Sequence, residues 1–151
     1  MDSASLEASR RQDAEKLADI FTLLQRTFLT NLSKELSLGK VSFSQYLLLG
    51  YLSHQEAMSM TEVANRMGHT TAAATGMVDR LENLGYVRRE HASDDRRKIL
   101  VGITENGVAL VARIREDMVG GLMQLMRHLT AEEQANWVKI YEKIMTVFPC
   151  V

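Results

Sequence analysis

Positive charge gathers in one short stretch of this sequence. Arg96, Arg97 and Lys98 are consecutive, and Arg88 and Arg89 stand a few residues before them. Guanidinium groups on a slender projection suit one chemistry well: entry into the minor groove of duplex DNA, where narrow A·T-rich tracts concentrate negative potential. Asp94 and Asp95 lie beside them and would repel phosphate. A carboxylate at Asp95 paired with Arg97 would instead fix the direction of that guanidinium. The ordinary alternative is a solvated turn of mixed charge.

A second group lies upstream. Thr70, Thr71, Ala72, Ala73, Ala74, Thr75 and Gly76 are all small. At the start of a helix they would let the backbone come close to a groove, with hydroxyls for phosphates and methyls for thymine. A helix N-terminus also favours a phosphate directly. None of these residues is Arg, Asn or Gln, so bidentate base contacts are scarce. Arg80, further along, suits either a phosphate or a surface ion pair. An Ala/Thr-rich buried helix is the alternative, weakened because Val78, Leu81 and Leu84 already supply a buried face.

Helices must position these groups. Leu17, Ile20, Phe21, Leu24, Phe28, Leu32 and Leu36 recur at spacings of three and four, predicting a helix over about 12–37 ended by Gly39. Ser42 to Gln45 reads as a capping box, opening a helix that buries Leu47, Leu48 and Leu52. Ser59 to Glu62 is another, opening a short helix broken by Gly68. Thr70 or Thr71 then caps a longer helix that stops at Gly85. A short helix, a Gly turn and a longer helix have the proportions of a helix-turn-helix. Tyr86–Glu90 and Ile99–Ile103 read as strands, with the charged stretch as the tip of their hairpin. Thr104 caps a fifth helix carrying Val108, Val111, Ile114, Met118, Leu122, Leu125 and Leu129. Thr130 to Glu133 opens a sixth, with Trp137, Ile140, Tyr141, Ile144 and Phe148 on one face.

The expected fold is therefore mainly α with a small β-hairpin wing: a winged helix-turn-helix at 41–103, flanked by dimerisation helices at 12–40 and 104–148 in one continuous domain. Terminal stripes this long exceed what a compact reading head covers, which predicts packing on each other and on a second copy with two-fold symmetry; a single bundle within one subunit is the alternative.

Composition sets bounds. The 151 residues are 46% hydrophobic and 25% charged, within the globular range, and the single Pro favours long helices. The formal net charge is −1, so DNA binding would have to come from local clusters. One cysteine excludes an internal disulfide framework and fits a reducing cytoplasm. No signal peptide and no apolar run of membrane-spanning length is visible. No paired nucleophile and base, phosphate-cradling Gly loop or metal cluster stands out, so an enzyme, a metal and a cofactor are not expected.

The stretch from Met60 to Gly107 resembles the DNA-binding core of the MarR family of regulators. The run T-G-x-V-D-R-L-E-x-x-G-Y-V-x-R at Thr75–Arg89 matches that family's pattern, as do Asp95-x-Arg97 and the run L-V-x-I-T-x-x-G at Leu100–Gly107. The long flanking helices match its dimerisation elements. The resemblance implies a homodimer binding pseudo-palindromic double-stranded DNA, usually as a repressor released by small aromatic or phenolic ligands held between dimerisation helices and reading head. It also implies that Arg97 enters the minor groove with Asp95 supporting it, and that Thr70, Thr71, Ala72 and Thr75 face the major groove. Some relatives sense peroxide through a cysteine in the first helix, where this chain has none; Cys150 stands at the far end. His54, His69, His91 and His128 lack the spacing of metal ligands. Met118, Met123, Met126 and Met145 suit an adaptable pocket but are more often core or interface residues.

Overall fold

The computed structural model describes residues 3–55, 57–92, 95 and 98–147, with the backbone alone for residues 3, 4, 25–33 and 35. Helix α1 spans Ser3–Leu38 and α2 Phe43–Ser53; strand β1 is Met58–Ser59. The middle continues with α3 (Met60–Met67), α4 (Thr71–Asn83), β2 (Val87–His91) and β3 (Ile99–Ile103). Two helices close the described chain, α5 (Glu105–Met126) and α6 (Ala131–Val147).

Local chemistry sets the helix starts. The Ser42 amide donates to Gln45 Oε1 at 2.8 Å while the Gln45 amide donates back to Ser42 Oγ. Ser59 with Glu62, and Thr130 with Glu133, repeat this reciprocal pattern. Each box satisfies N–H groups that a helix start otherwise leaves without partners. Hydrogen bonds from the Ser59 side chain and backbone hold the Glu62 carboxyl below its ordinary range, and those from the Thr130 backbone and side chain do the same for Glu133. Their support is thus present above the usual carboxylate pKa and fades as pH falls through the lowered folded values.

Helix ends use the left-handed region. Gly68 (φ 62°) and Gly85 (φ 76°) close α3 and α4. Behind them His69 N donates to Ala64 O, and Tyr86 N to Leu81 O, both at 2.9 Å. At α1 the expected Gly39 stop moves one residue on. Lys40 takes the left-handed conformation (φ 56°), its amide bonded to Ser37 O and that of Val41 to Leu36 O. Burial explains the shift: Leu36 and Val41, 9% and 7% exposed, both join the core, and the six-residue closure between them puts the left-handed site at 40.

Three further expectations change. Helix α1 begins at Ser3 rather than near residue 12, because the lead-in lacks an apolar period but is made of good helix formers. Leu47 is 38% exposed, whereas Gln45, Leu48, Leu49 and Leu52 form the buried stripe of α2; Leu47 sits on its flank. The hairpin also gains a third strand, giving the antiparallel order β1-β3-β2 with Met58 opposite Val101. Met58 is drawn in because it is itself core, 1% exposed beside fully buried Val101.

The core joins Leu48, Leu49 and Leu52 of α2 to Val63, Val78, Leu81, Val101 and Ile114. The terminal stripes lie outside it. Leu17, Ile20, Phe21 and Leu24 of α1 are 45–65% exposed, as are Val138, Ile140, Tyr141 and Ile144 of α6 at 45–57%, and no described residue of α6 is buried. The side chains of Phe28, Leu32 and Phe148, expected on the same stripes, lie outside the described residues.

One joint ties the middle of the chain to α5. Thr104 N donates to Tyr86 O at 3.0 Å, and its hydroxyl donates to Gly85 O at 2.6 Å. Helix α5 then passes so close that a Cβ on Gly107 would lie 2.3 Å from Tyr86 O and 2.7 Å from Ile103 Cγ1. Gly107→Ala is expected to cost roughly 3 kcal/mol, the upper part of the overpacking range, because the obstacle is backbone. A urea midpoint equal to wild type would refute this packing. Lys40→Gly should raise stability by up to about 1 kcal/mol by relieving the left-handed penalty, partly offset by backbone entropy; a lower midpoint would contradict it.

Candidate nucleic-acid interface

Helices α3 and α4 meet through Gly68, with Val63 and Ala64 packed against Ala74, Val78 and Leu81 in one buried cluster. Arg66 of α3 also stands over the Tyr51 ring of α2, 5.4 Å from its centroid, adding a cation–π contact to the frame. This is a helix-turn-helix with α4 in the reading position.

The start of α4 is exposed at Thr70, Thr71, Ala72, Ala73, Thr75 and Gly76. Ala74 is the exception, fully buried in the core, so it leaves the groove-facing set read from the sequence. Thr70 rather than Thr71 is the cap: its Oγ1 accepts from Ala73 N at 3.3 Å. The Thr75 hydroxyl donates to Thr71 O at 2.8 Å, which leaves its methyl as the group offered outward. Arg80 is exposed but sits ~13 Å along the axis from Thr71, at 1.5 Å per residue. It borders an open cavity of about 500 Å³ shared with Leu36, Lys40, Ser42 and Gln45. Arg80 therefore faces the α1–α2 turn rather than the start of its own helix.

The hairpin distributes its cations over two faces. Val87 is buried, so the two-residue period of β2 puts Arg89 on the core-facing side and Arg88 and Glu90 on the other. Arg88 Nε donates to Glu90, and its Nη1 donates to Ile103 O at 3.2 Å. Arg89 meets two carboxylates of α4. Its Nη2 donates to Asp79 Oδ1 at 2.6 Å and its Nη1 to Glu82 Oε2, while its backbone N–H donates to Glu82 Oε1 at 3.1 Å. Burial disfavours the Arg89 charge, but the hydrogen bonds and charges of Asp79 and Glu82 together outweigh it and raise its pKa.

Exposure separates these ion pairs. The Arg11–Glu15 side chains are 84% and 66% exposed, and such pairs contribute little. Arg89 is 22% exposed and doubly bonded, so its charge is engaged inside the subunit. Arg88 and Arg89, grouped by sequence with the wing cations, are thus both matched by carboxylates of their own chain. Asp79 and Glu82 are the residues that sequence reasoning passed over. Their i, i+3 spacing on α4 and the shared parity of Val87 and Arg89 were the available signals.

At the tip, Lys98 N donates to Asp95 O at 2.9 Å and Ala92 N to Lys98 O at 3.0 Å, turning the chain between the strands. Asp95 is half-buried and Lys98 exposed. Arg96 and Arg97, and with them the expected Asp95–Arg97 pairing, lie outside the described residues, as does Cys150. The four histidines stay apart: His54 caps α2, His69 follows the α3 turn, His91 ends β2 and His128 follows α5. Among the described residues no group of three or more metal-ligating side chains forms, and no helix is long and apolar enough to cross a membrane. Met118 is half-buried and takes the Tyr46 hydroxyl at 3.8 Å from its sulfur, whereas Met123 and Met145 are about half exposed, at 55% and 49%. Burial is the main cause that raises the Tyr46 pKa, against a smaller lowering by Arg115.

Comparison with known proteins agrees with this geometry. Residues 40–98 match the sequence model of the MarR family. The HTH-type transcriptional regulator YfiV of Bacillus subtilis is 30% identical over 102 residues, 68% of this chain and 62% of its own length. The alignment thus spans under two thirds of that relative. PecS of Dickeya dadantii, also an HTH-type transcriptional regulator, is 28% identical over 82% of this chain and 78% of its own. Among solved structures, a MarR family protein from Bacillus stearothermophilus superposes with a TM-score of 0.80 at 17% identity, covering 91% of this chain and 96% of that one. The MepR–DNA complex of S. aureus gives 0.72 at 19% identity, over 87% and 98%. At these identities the structural likeness is one of fold.

The cap assigns a testable role to one hydroxyl. Thr70→Ala should lower stability by about 1 kcal/mol, while Thr70→Ser retains the wild-type denaturation midpoint. Equal midpoints for Ala and Ser would remove Thr70 from the cap.

Proposed function

We propose that this chain, whose residues 40–98 match the MarR family model, is a winged helix-turn-helix transcriptional regulator of that kind, binding pseudo-palindromic duplex DNA as a homodimer and repressing transcription until a small aromatic or phenolic ligand releases it. The observation that carries the DNA reading is the pairing of two probes on one core: the small, exposed start of α4 and the β2–β3 hairpin. Thr71, Ala72 and the Thr75 methyl would lie in the major groove, with Thr70 at its edge. Arg97 would enter the minor groove, with Arg96 and Lys98 beside it and Asp95 in support.

The dimer reading rests on the unburied apolar stripes of α1 and α6, together with the outer end of α5, where Leu122, Met123 and Leu125 are exposed. A second copy is the occupant that covers self-matching stripes at both ends of the chain with one two-fold axis. That axis would set the two α4 helices about one DNA turn apart, near 34 Å. A ligand held between the dimerisation helices and the reading head would touch both. Binding one dimer geometry better than another, it would shift the spacing and release DNA. The cytoplasm is the compartment where such a protein meets its operator. The local neutralisation of Arg88 and Arg89 favours a second reading, a winged-helix module that binds protein instead. An affinity for random duplex that does not fall with salt would support it.

Selection from a random duplex pool should enrich inverted half-sites about one helical turn apart. Light scattering should give a particle of twice the 17.0 kDa chain mass. Arg97→Ala should weaken operator binding about tenfold or more at moderate salt, with circular dichroism and mass unchanged. Undiminished affinity in that variant would refute the wing assignment, and a monomer at working concentration would refute the symmetry.

A further inference from the structure

We infer that Arg89 is a positioning residue that locks the β2–β3 hairpin to helix α4, so that wing and reading helix meet DNA as one rigid body. The inference rests on the DNA-binding reading above and gives Arg89 a different part in it from that of a phosphate contact.

Three observations carry it. Arg89 sits on the face of β2 that turns toward α4, in the strand position paired with fully buried Val101. Its guanidinium reaches both Asp79 and Glu82, one turn apart on the same side of α4. Glu82 in addition accepts the Arg89 backbone N–H, so this carboxylate holds strand and side chain together. A planar fork spanning two carboxylates fixes direction as well as distance, which a single flexible ammonium does not. Only Leu84, Gly85 and Tyr86 lie between α4 and β2, so the clamp converts a short covalent hinge into a two-point attachment.

Charge gives the same residue a further consequence. Asp79 and Glu82 stand on the helix that would approach a polyanion. With Arg89 in place the trio carries one net negative charge; without it, two carboxylates are left facing each other and the phosphates. A test must therefore separate positioning from simple charge compensation.

Arg89→Gln removes both effects. The triple variant Asp79→Asn, Glu82→Gln, Arg89→Gln removes the clamp but leaves no uncompensated charge, and so guards against a failure to fold. Operator affinity, random-duplex affinity over a salt series and amide exchange in β2 and β3 are measured for wild type, both variants and Arg89→Lys. Positioning predicts that Arg89→Gln loses about tenfold or more in operator affinity. The triple variant should match the random-duplex affinity and salt slope of wild type while its operator preference stays reduced and its hairpin amides exchange faster. Arg89→Lys should recover only part of the preference. Wild-type preference and wild-type hairpin exchange in the triple variant would overturn the clamp and leave the DNA reading intact. A wild-type chain that enriches no sequence from the pool would overturn the DNA reading and this role together.

Discussion

At the joint where Gly107 passes the carbonyl of Tyr86, helix α5 and the first residue before the wing are separated by less than the width of a methyl group. Thr104 adds two hydrogen bonds across the same joint, to Gly85 and Tyr86. Gly85 itself is where α4 ends in a left-handed residue. The end of the reading helix, the start of the wing and the start of the longest C-terminal helix thus share a few ångströms of backbone. Movement of α5 must be transmitted to the other two, because a packed joint of this kind yields by shifting rather than by compressing.

The remaining architecture distributes outward from that point. The core is concentrated where α2, α3, α4 and the sheet converge, and it reaches α5 through Leu110 and Ile114, with Val111 and Met118 packed against it. Met58 links β1 to β3 just before Ser59 starts α3, so the sheet is tied to the helix-turn-helix at both edges. The parts assigned to DNA are consequently held on three sides: by α5 at the Gly107 joint, by β1 through Val101, and by the Arg89 clamp. The long helical ends are held far more lightly by their own subunit.

Much of this was legible in the amino-acid order because it is locally encoded. Capping boxes at Ser42, Ser59 and Thr130 involve residues three apart, and the glycines at 68 and 85 stand where no side chain is comfortable. What escaped was settled by distant contacts. Lys40 takes the left-handed site because Val41 must reach the core, a demand invisible beside an adjacent glycine. Strand β1 is two residues long, too short for any periodicity, and exists because Met58 is buried against Val101. Ala74 looks like its small neighbours but faces inward, since α4 must bury one residue a turn before Val78. Arg89 looked like one more wing cation because its partners lie on a different element, ten and seven residues earlier.

Helix α6 is 17 residues long and none of its described residues is buried. A segment of that length is barely helical when left to itself in water. In the proposed dimer its shape would be underwritten by association, and folding of the tail and pairing of subunits would become a single event. Under that coupling, thermal resistance would climb as the chain becomes more abundant. Dilution would do more than separate two finished halves: each half would lose part of its ordered structure, and scarce copies would be the ones most open to proteolysis.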